Sequence, residues 1–240
     1  RFPDPARWAS GLGAWDTLDA GNDELIEAVG NWLGDEDKLN SGCSIERRTS
    51  VTFDYSHPLV RKMISGEAFN DIEHDWSLDL SEAQTSSRVV VVGKSGIELH
   101  PHEVGIGISQ VVPVVVTALD GSTRLLAIEQ PELHLHPRLQ AELGDLFIEA
   151  ALGERHQQIL LETHSELITL RLMRRIRETH ADRKTTAGPD ISSSDVAIYF
   201  IESFEGATVM THLELSEEGR LLDPWPDGFF EEGFRERFSD

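Results

Sequence analysis

Cationic side chains are what this sequence holds least of: 21 Lys and Arg stand against 43 Asp and Glu, for a formal net charge of -22. So acidic a balance excludes a broad nucleic-acid-binding face, although a local basic patch is compatible with it. Cysteine is nearly absent. Cys43 alone cannot close an internal disulfide, which points to a reducing cytoplasm. Long apolar runs are missing too. The longest, Val111 to Leu119, is too short to span a bilayer and is interrupted by Pro113. No secretory signal is visible. The chain opens on Arg1 rather than methionine, and a preceding segment is expected.

A phosphate-binding P-loop is also lacking. Gly93-Lys94-Ser95 would need a glycine at position 88, where Arg88 stands, and a helix after it. Ile97-Glu98-Leu99-His100 alternates like a strand instead, so Arg88–Val92 and Ile97–Leu99 are expected to form a hairpin around Gly93–Gly96.

What is present suffices for a core. Hydrophobic residues make up 39% of 240 residues, with 10 Phe and 5 Trp, enough for one large domain or two modest ones. The acidic N-terminal stretch carries a helical pattern, with Leu25, Val29, Trp32 and Leu33 on one side. Its acids read as solvated surface near a helix start rather than as a cation site. A strand is expected over 45–55 and a helix over Leu59–Phe69.

The sequence is organised around Arg124–Pro137, in which Leu125-Leu126-Ala127-Ile128 runs into Glu129-Gln130-Pro131-Glu132 and then His134-Leu135-His136-Pro137. An apolar run bounded by turn residues predicts a buried strand. Its end would deliver Glu129 and Glu132 to the rim of a sheet, where open α/β folds bind ligands. Leu139, Leu143, Leu146, Phe147 and Ala150 then predict a helix. A second strand, Gln158–Glu162, ends in Thr163-His164-Ser165, and a helix follows from about Glu166 to Glu178. Strand–helix–strand–helix with short connections is a parallel α/β unit. Upstream, Gly105-Ile106-Gly107-Ile108-Ser109-Gln110 offers close backbone approach and a capping serine. The β-branched run after it has strand propensity, yet Pro113 suits a first helical turn better than a central strand.

These motifs in order, Gly105-x-Gly107-x-Ser109-Gln110, Leu125–Pro137 and Leu161-Glu162-Thr163-His164-Ser165, resemble the second half of an ABC-type ATPase head of the RecF/SMC/OLD-like AAA group. Trp225–Glu232 resembles the C-terminal end of an uncharacterised branch of it. The resemblance implies an α/β fold forming the C-terminal lobe of a P-loop ATPase head, a parallel sheet with flanking helices plus antiparallel hairpins. It implies ATP and Mg²⁺ as cofactors. Glu129 resembles the Walker B carboxylate that holds the metal. Gln130 stands where the family has a water-polarising glutamate, and glutamine can orient water but not take its proton. Glu132 is a possible substitute. His134, Leu135 and His136 fall at the D-loop, and His164 resembles the switch histidine. Gly105, Gly107, Ser109 and Gln110 resemble the signature that closes on nucleotide held by an opposite subunit, so a homodimer is implied. The Walker A loop would precede Arg1.

Two alternatives stay open: a non-hydrolysing ATP-sensing scaffold that binds an effector protein such as a nuclease, and a zinc-binding protein using His100, His102, His134, His136 and His164. Arg171, Arg174, Arg175 and Arg177 read as a solvated cationic face beside an apolar side of Leu167, Leu170, Met173 or Leu172, and Ile176, more than as a DNA contact. Ala181–Ser194 reads as a loop or mobile linker. Val196–Ile201 and Thr208–Leu215 form a hairpin around Glu205-Gly206. From Glu202 onward eleven acids face three arginines, a poor DNA surface with no nuclease motif. The expected divisions are a helical or mixed region over 1–87, the ATPase core over 88–180, and a hairpin with an acidic tail over 181–240. The expected role is an ATP-binding and ATP-hydrolysing head of a bacterial defence or DNA-repair complex.

Overall fold

The β-branched segment that propensity would make a strand is a helix at the centre of the molecule. In the computed structural model, which describes residues 5–20, 23–65, 83–99, 103–183 and 187–226, α5 spans Ile106–Asp120. Val111, Val112, Val115, Val116 and Ala118 are wholly buried in it. Its neighbours are α2 (Leu12–Ala20), α3 (Asp23–Gly34), α6 (Pro137–Leu152) and β4 (Leu125–Glu129). Enclosure on nearly every side overrides strand propensity, which chiefly reports fit to a half-buried pleated surface. Pro113 lies mid-helix rather than in the first turn. The helix stops at Gly121, whose φ of 64° is the left-handed cap conformation.

Before α5, α1 (Pro5–Ala9) and α2 lead into α3, whose buried face is Ile26, Val29, Gly30, Trp32 and Leu33. Gly30 lies directly on strand β1 (Cys43–Thr52): a Cβ there would stand 2.8 Å from the Ile45 carbonyl oxygen. β1 ends at Thr52, short of the expected Phe53 and Tyr55. The helix expected to reach Phe69 is α4 (Pro58–Ser65), and the positions after Ser65 lie outside the described residues. β2 (Gln84–Gly93) pairs antiparallel with β1 along ten residues, and β3 (Glu98–Leu99) returns through the expected turn at Gly96, φ 75°. The hairpin reading of Gly93-Lys94-Ser95 holds.

β4 and β5 (Gln158–Glu162) pair in parallel, with α6 between them and α7 (Glu166–His180) after them. This is the expected parallel unit, but its strands are buried on one face only. Leu126 is buried whereas Leu125 is 62% and Leu160 65% exposed, because helices cover a single side of this two-stranded sheet. His136 caps α6, its Nδ1 accepting from the Arg138 amide, and Pro137 fills the first helical position.

The arginine-rich helix departs from expectation. Leu170 is 40% exposed while Arg175 is 2% exposed. Arg171 grips Glu142 and Asp145 of α6, with Arg171 Nη2 3.0 Å from Glu142 Oε1, and Arg175 Nε lies 3.5 Å from Asp145 Oδ1. Burial pushes the Asp145 carboxyl above the ordinary carboxylate range, against the pull of Arg171 and Arg175. A solvated cationic face is therefore right for Arg174 and Arg177, both exposed. The arginines at 171 and 175 serve the α6–α7 contact.

The stretch read as a linker is anchored in its second half. Ile191 packs with Ile148 and Ile176, and Ser192 with Asp195 caps a short 3-10 turn over Ser193–Asp195. The expected hairpin follows as β6 (Ile198–Phe204) and β7 (Ala207–Leu213), turning at Glu205 and Gly206, both at positive φ. Beyond it, Gly219 lies so close to α7 that a Cβ would stand 2.4 Å from the Met173 carbonyl oxygen, and Arg177 donates to the Gly219 carbonyl at 3.1 Å. Of Trp225–Glu232, the residues from 227 onward lie outside the described residues. No helix among the described residues is long and apolar enough to cross a membrane.

Candidate functional site

Three turns meet at one edge of the β4–β5 pair. Parallel pairing puts Glu129 opposite Glu162 as the last partners of the ladder, and the Gln130 amide extends it by donating to the Glu162 carbonyl at 2.7 Å. Exposure alternates identically along the two strands, with Leu125, Ala127 and Glu129 open on one and Gln158, Leu160 and Glu162 on the other. Since strand residues two apart share a face, both terminal carboxylates stand on the same open side. Gln130 then turns the chain at φ 46°, sending Pro131 and Glu132 inward.

Glu132 is a tie between turns. It is 8% exposed, and each carboxylate oxygen already accepts a bond: Oε1 from the His164 amide at 2.7 Å, Oε2 from the Thr163 hydroxyl at 2.8 Å. The ties continue. Thr163 Oγ1 accepts from the Ser165 amide at 3.0 Å, Ser165 Oγ donates to Gln140 Oε1 at 2.8 Å, and Gln140 Nε2 donates to the Leu135 carbonyl at 3.1 Å. Ser165 also caps α7 by accepting from the Ile168 amide. Each link satisfies a buried or half-buried polar group, so the turns at 130–136 and 163–165 hold one another in register.

The N-terminus of α5 joins from the other side. Gly107 is required by contact: a Cβ there would stand 2.7 Å from the His134 carbonyl oxygen. His134, at φ 59°, brings its Nδ1 within 2.8 Å of Gln110 Oε1. Leu135 is buried at 6% exposure behind it. Ser109 does not cap the helix. Gly105 occupies the cap position, and Ser109, inside the first turn, donates to the Ile106 carbonyl at 2.8 Å. The expected cap fails because the helix begins at Ile106, four residues before the Gln110 start that a Ser109 cap would require.

Of the residues predicted for the site, Glu129, Gln130, Glu132, His164, Gly107, Gln110, His134 and Leu135 are linked through these contacts, while Gly105 and Ser109 lie on the same helix end. His136 turns away to cap α6. Glu162 and Thr163 join these residues beyond the predicted set, and the sequence signal for them is a second apolar run ending in a carboxylate. Among the described residues the histidines do not gather. His134 and His136 are committed to separate partners, His100 and His102 lie outside the described residues, and no metal-sized group of His, Cys, Asp or Glu occurs among the described residues.

Residues 23–171 match the family described as AAA domain, putative AbiEii toxin, Type IV TA system, and thus cover all three turns. The chain belongs to this AAA family. That membership supports a nucleotide-binding ATPase head. Residues 191–237 match a second family, a protein of unknown function (DUF3696), consistent with the resemblance of the C-terminal end to an uncharacterised branch. Several solved structures are similar, two of them as follows. One comes from work on ATP-driven dimerization and DNA-stimulated activation of SMC ATPases, at 10% identity over 79% of this chain and 83% of that chain, TM-score 0.42. The other is an Smc head domain with a coiled coil and joint from Pyrococcus yayanosii, at 11% identity over 89% of this chain and 30% of that chain, TM-score 0.45. No curated protein matches.

Proposed function

We propose that this chain supplies the Walker B, D-loop and switch portion of an ATP-hydrolysing head, with ATP and Mg²⁺ at the open edge formed by Glu129, Gln130, Glu162 and His164. The observation that carries this reading is the convergence of three separated motifs, at 105–110, 129–136 and 162–165, on one strand edge within the AAA-matched span. Glu129 is an exposed carboxylate at a strand end, and a hard cation shared with phosphate oxygens uses one or two such ligands, so the donor set fits Mg²⁺. When bound, that ion neutralises charge on the phosphates. His164 is the γ-phosphate-sensing side chain, held by its own amide on Glu132. Gly105, Gly107, Ser109 and Gln110 form a face that closes on nucleotide in a second copy, with His134–His136 crossing beside it. The sequence contains no Walker A loop, so phosphate binding needs one supplied from outside these residues. Head closure then transmits the nucleotide state to an effector such as a nuclease, in a cytoplasmic bacterial defence or DNA-repair complex.

ATP turnover by the full-length protein tests the reading. The expected result is Mg²⁺-dependent hydrolysis that Glu129→Ala lowers by about 100-fold or more. Turnover unchanged by Glu129→Ala would refute it. A second reading, an ATP-sensing scaffold without hydrolysis, is favoured by one observation: Gln130 lacks a base and Glu132 already accepts bonds at both oxygens. It predicts MgATP binding and dimer closure with no phosphate release.

A further inference from the structure

The ATPase reading leaves a chemical gap, since neither Gln130 nor the tied Glu132 is available to receive a proton from water. The strand register fills it. We infer that Glu162, on the strand beside the Walker B strand, is the water-activating carboxylate of this site. This rests on the ATPase reading and adds a residue and a role to it.

Three observations carry the assignment. Glu162 is the in-register partner of Glu129, and neighbouring strands run about 5 Å apart. A group there is close enough to share a substrate with a metal-side carboxylate while remaining a separate ligand. Both side chains are exposed on the same face of the pair, whereas Glu132, three residues on, is buried and bonded at each oxygen. Finally, Gln130 is fixed to the same residue: its amide donates to the Glu162 carbonyl. The residue that can orient water through its amide side chain and the residue that can take its proton are thus joined at the backbone.

The labour divides among the carboxylates that the two strands and their following turns bring to this edge. Glu129 faces the metal, Glu132 positions His164 and Thr163, and Glu162 accepts the proton. In the step, the oxygen of a water oriented by Gln130 forms a bond to the γ-phosphorus, and its proton passes to the Glu162 carboxylate. The bond from that phosphorus to the bridging oxygen breaks, and the electron pair leaves on the β-phosphate of ADP. Glu162 then releases the proton, so the products are ADP, inorganic phosphate and one proton. General-base assistance of this kind contributes about 10²–10⁴-fold.

The test uses the full-length protein and two readouts, ATP turnover and MgATP affinity by calorimetry, with dimer formation followed by light scattering. Glu162→Gln is expected to lower turnover by about 100-fold or more while MgATP affinity stays within about threefold, so that the variant accumulates as an ATP-bound dimer. Glu129→Ala is expected to lose the Mg²⁺-dependent part of affinity as well. Gln130→Glu placed in the Glu162→Gln background should restore turnover at least about tenfold, because it returns a base to the water. Near-wild-type turnover by Glu162→Gln would overturn the assignment of Glu162 and leave the ATPase reading standing. A turnover loss matched by an equal loss of Mg²⁺-dependent affinity would make Glu162 a second metal ligand and also overturn it. Wild-type protein that binds MgATP without hydrolysis would overturn the ATPase reading and this assignment together.

Discussion

The two ends of α7 are held in different ways. At its N-terminal end, Ser165 caps the helix and Thr163 and His164 hang on Glu132 through single hydrogen bonds, beside the open carboxylates of Glu129 and Glu162. At its C-terminal half, Arg175 is buried against Asp145, Arg171 grips Glu142 and Asp145, and Gly219 presses on the Met173 carbonyl. One end borders the proposed nucleotide edge and the other is spent on the α6–α7 contact and the C-terminal segment. In the proposed function, stability and chemistry therefore fall to opposite ends of one helix.

Substitutions can break that comparison. The largest expected loss of stability is at the buried end: Arg175→Ala leaves Asp145 short of a buried partner and should cost about 3–5 kcal/mol in denaturant unfolding. Gly219→Ala comes next. Its φ of 65° and its contact with the Met173 carbonyl predict a cost of about 2 kcal/mol, read as a lowered melting temperature, with MgATP affinity unchanged in the folded protein. At the other end, Glu132→Ala strands the Thr163 hydroxyl and the His164 amide, for about 1.5–3 kcal/mol. Here the sharper signal is loss of ATP turnover in protein that is still folded at the assay temperature. Ser165→Ala removes the α7 cap and should cost about 1 kcal/mol. If Arg175→Ala and Ser165→Ala proved equally costly, the contrast between the ends would fail.

Much of this was legible in the sequence. β4, α6, β5 and the start of α7 are marked by apolar spacing and by strong caps, with Pro137 and Ser165 standing where helices begin. What escaped depended on partners distant in sequence. Arg175 looks like a surface residue until Asp145 on another helix is seen beside it. Val111–Leu119 looks like a strand until it is enclosed by three helices and β4, and Leu125 looks like core until one face of its sheet is found open. Glu132 and Glu162 have the same chemistry in the sequence. Only the turn at Gln130 and the strand register separate the buried tie from the exposed acid.

The most direct test of the central claim is to locate the metal–nucleotide complex without relying on turnover. Mn²⁺ with ATP, added to isotopically labelled full-length protein, should broaden the amide signals of Glu129, Gln130, Glu162, Thr163 and His164 first. Signals from the Glu205–Gly206 turn should stay sharp. Broadening that spared the β4–β5 edge and fell elsewhere would contradict the account.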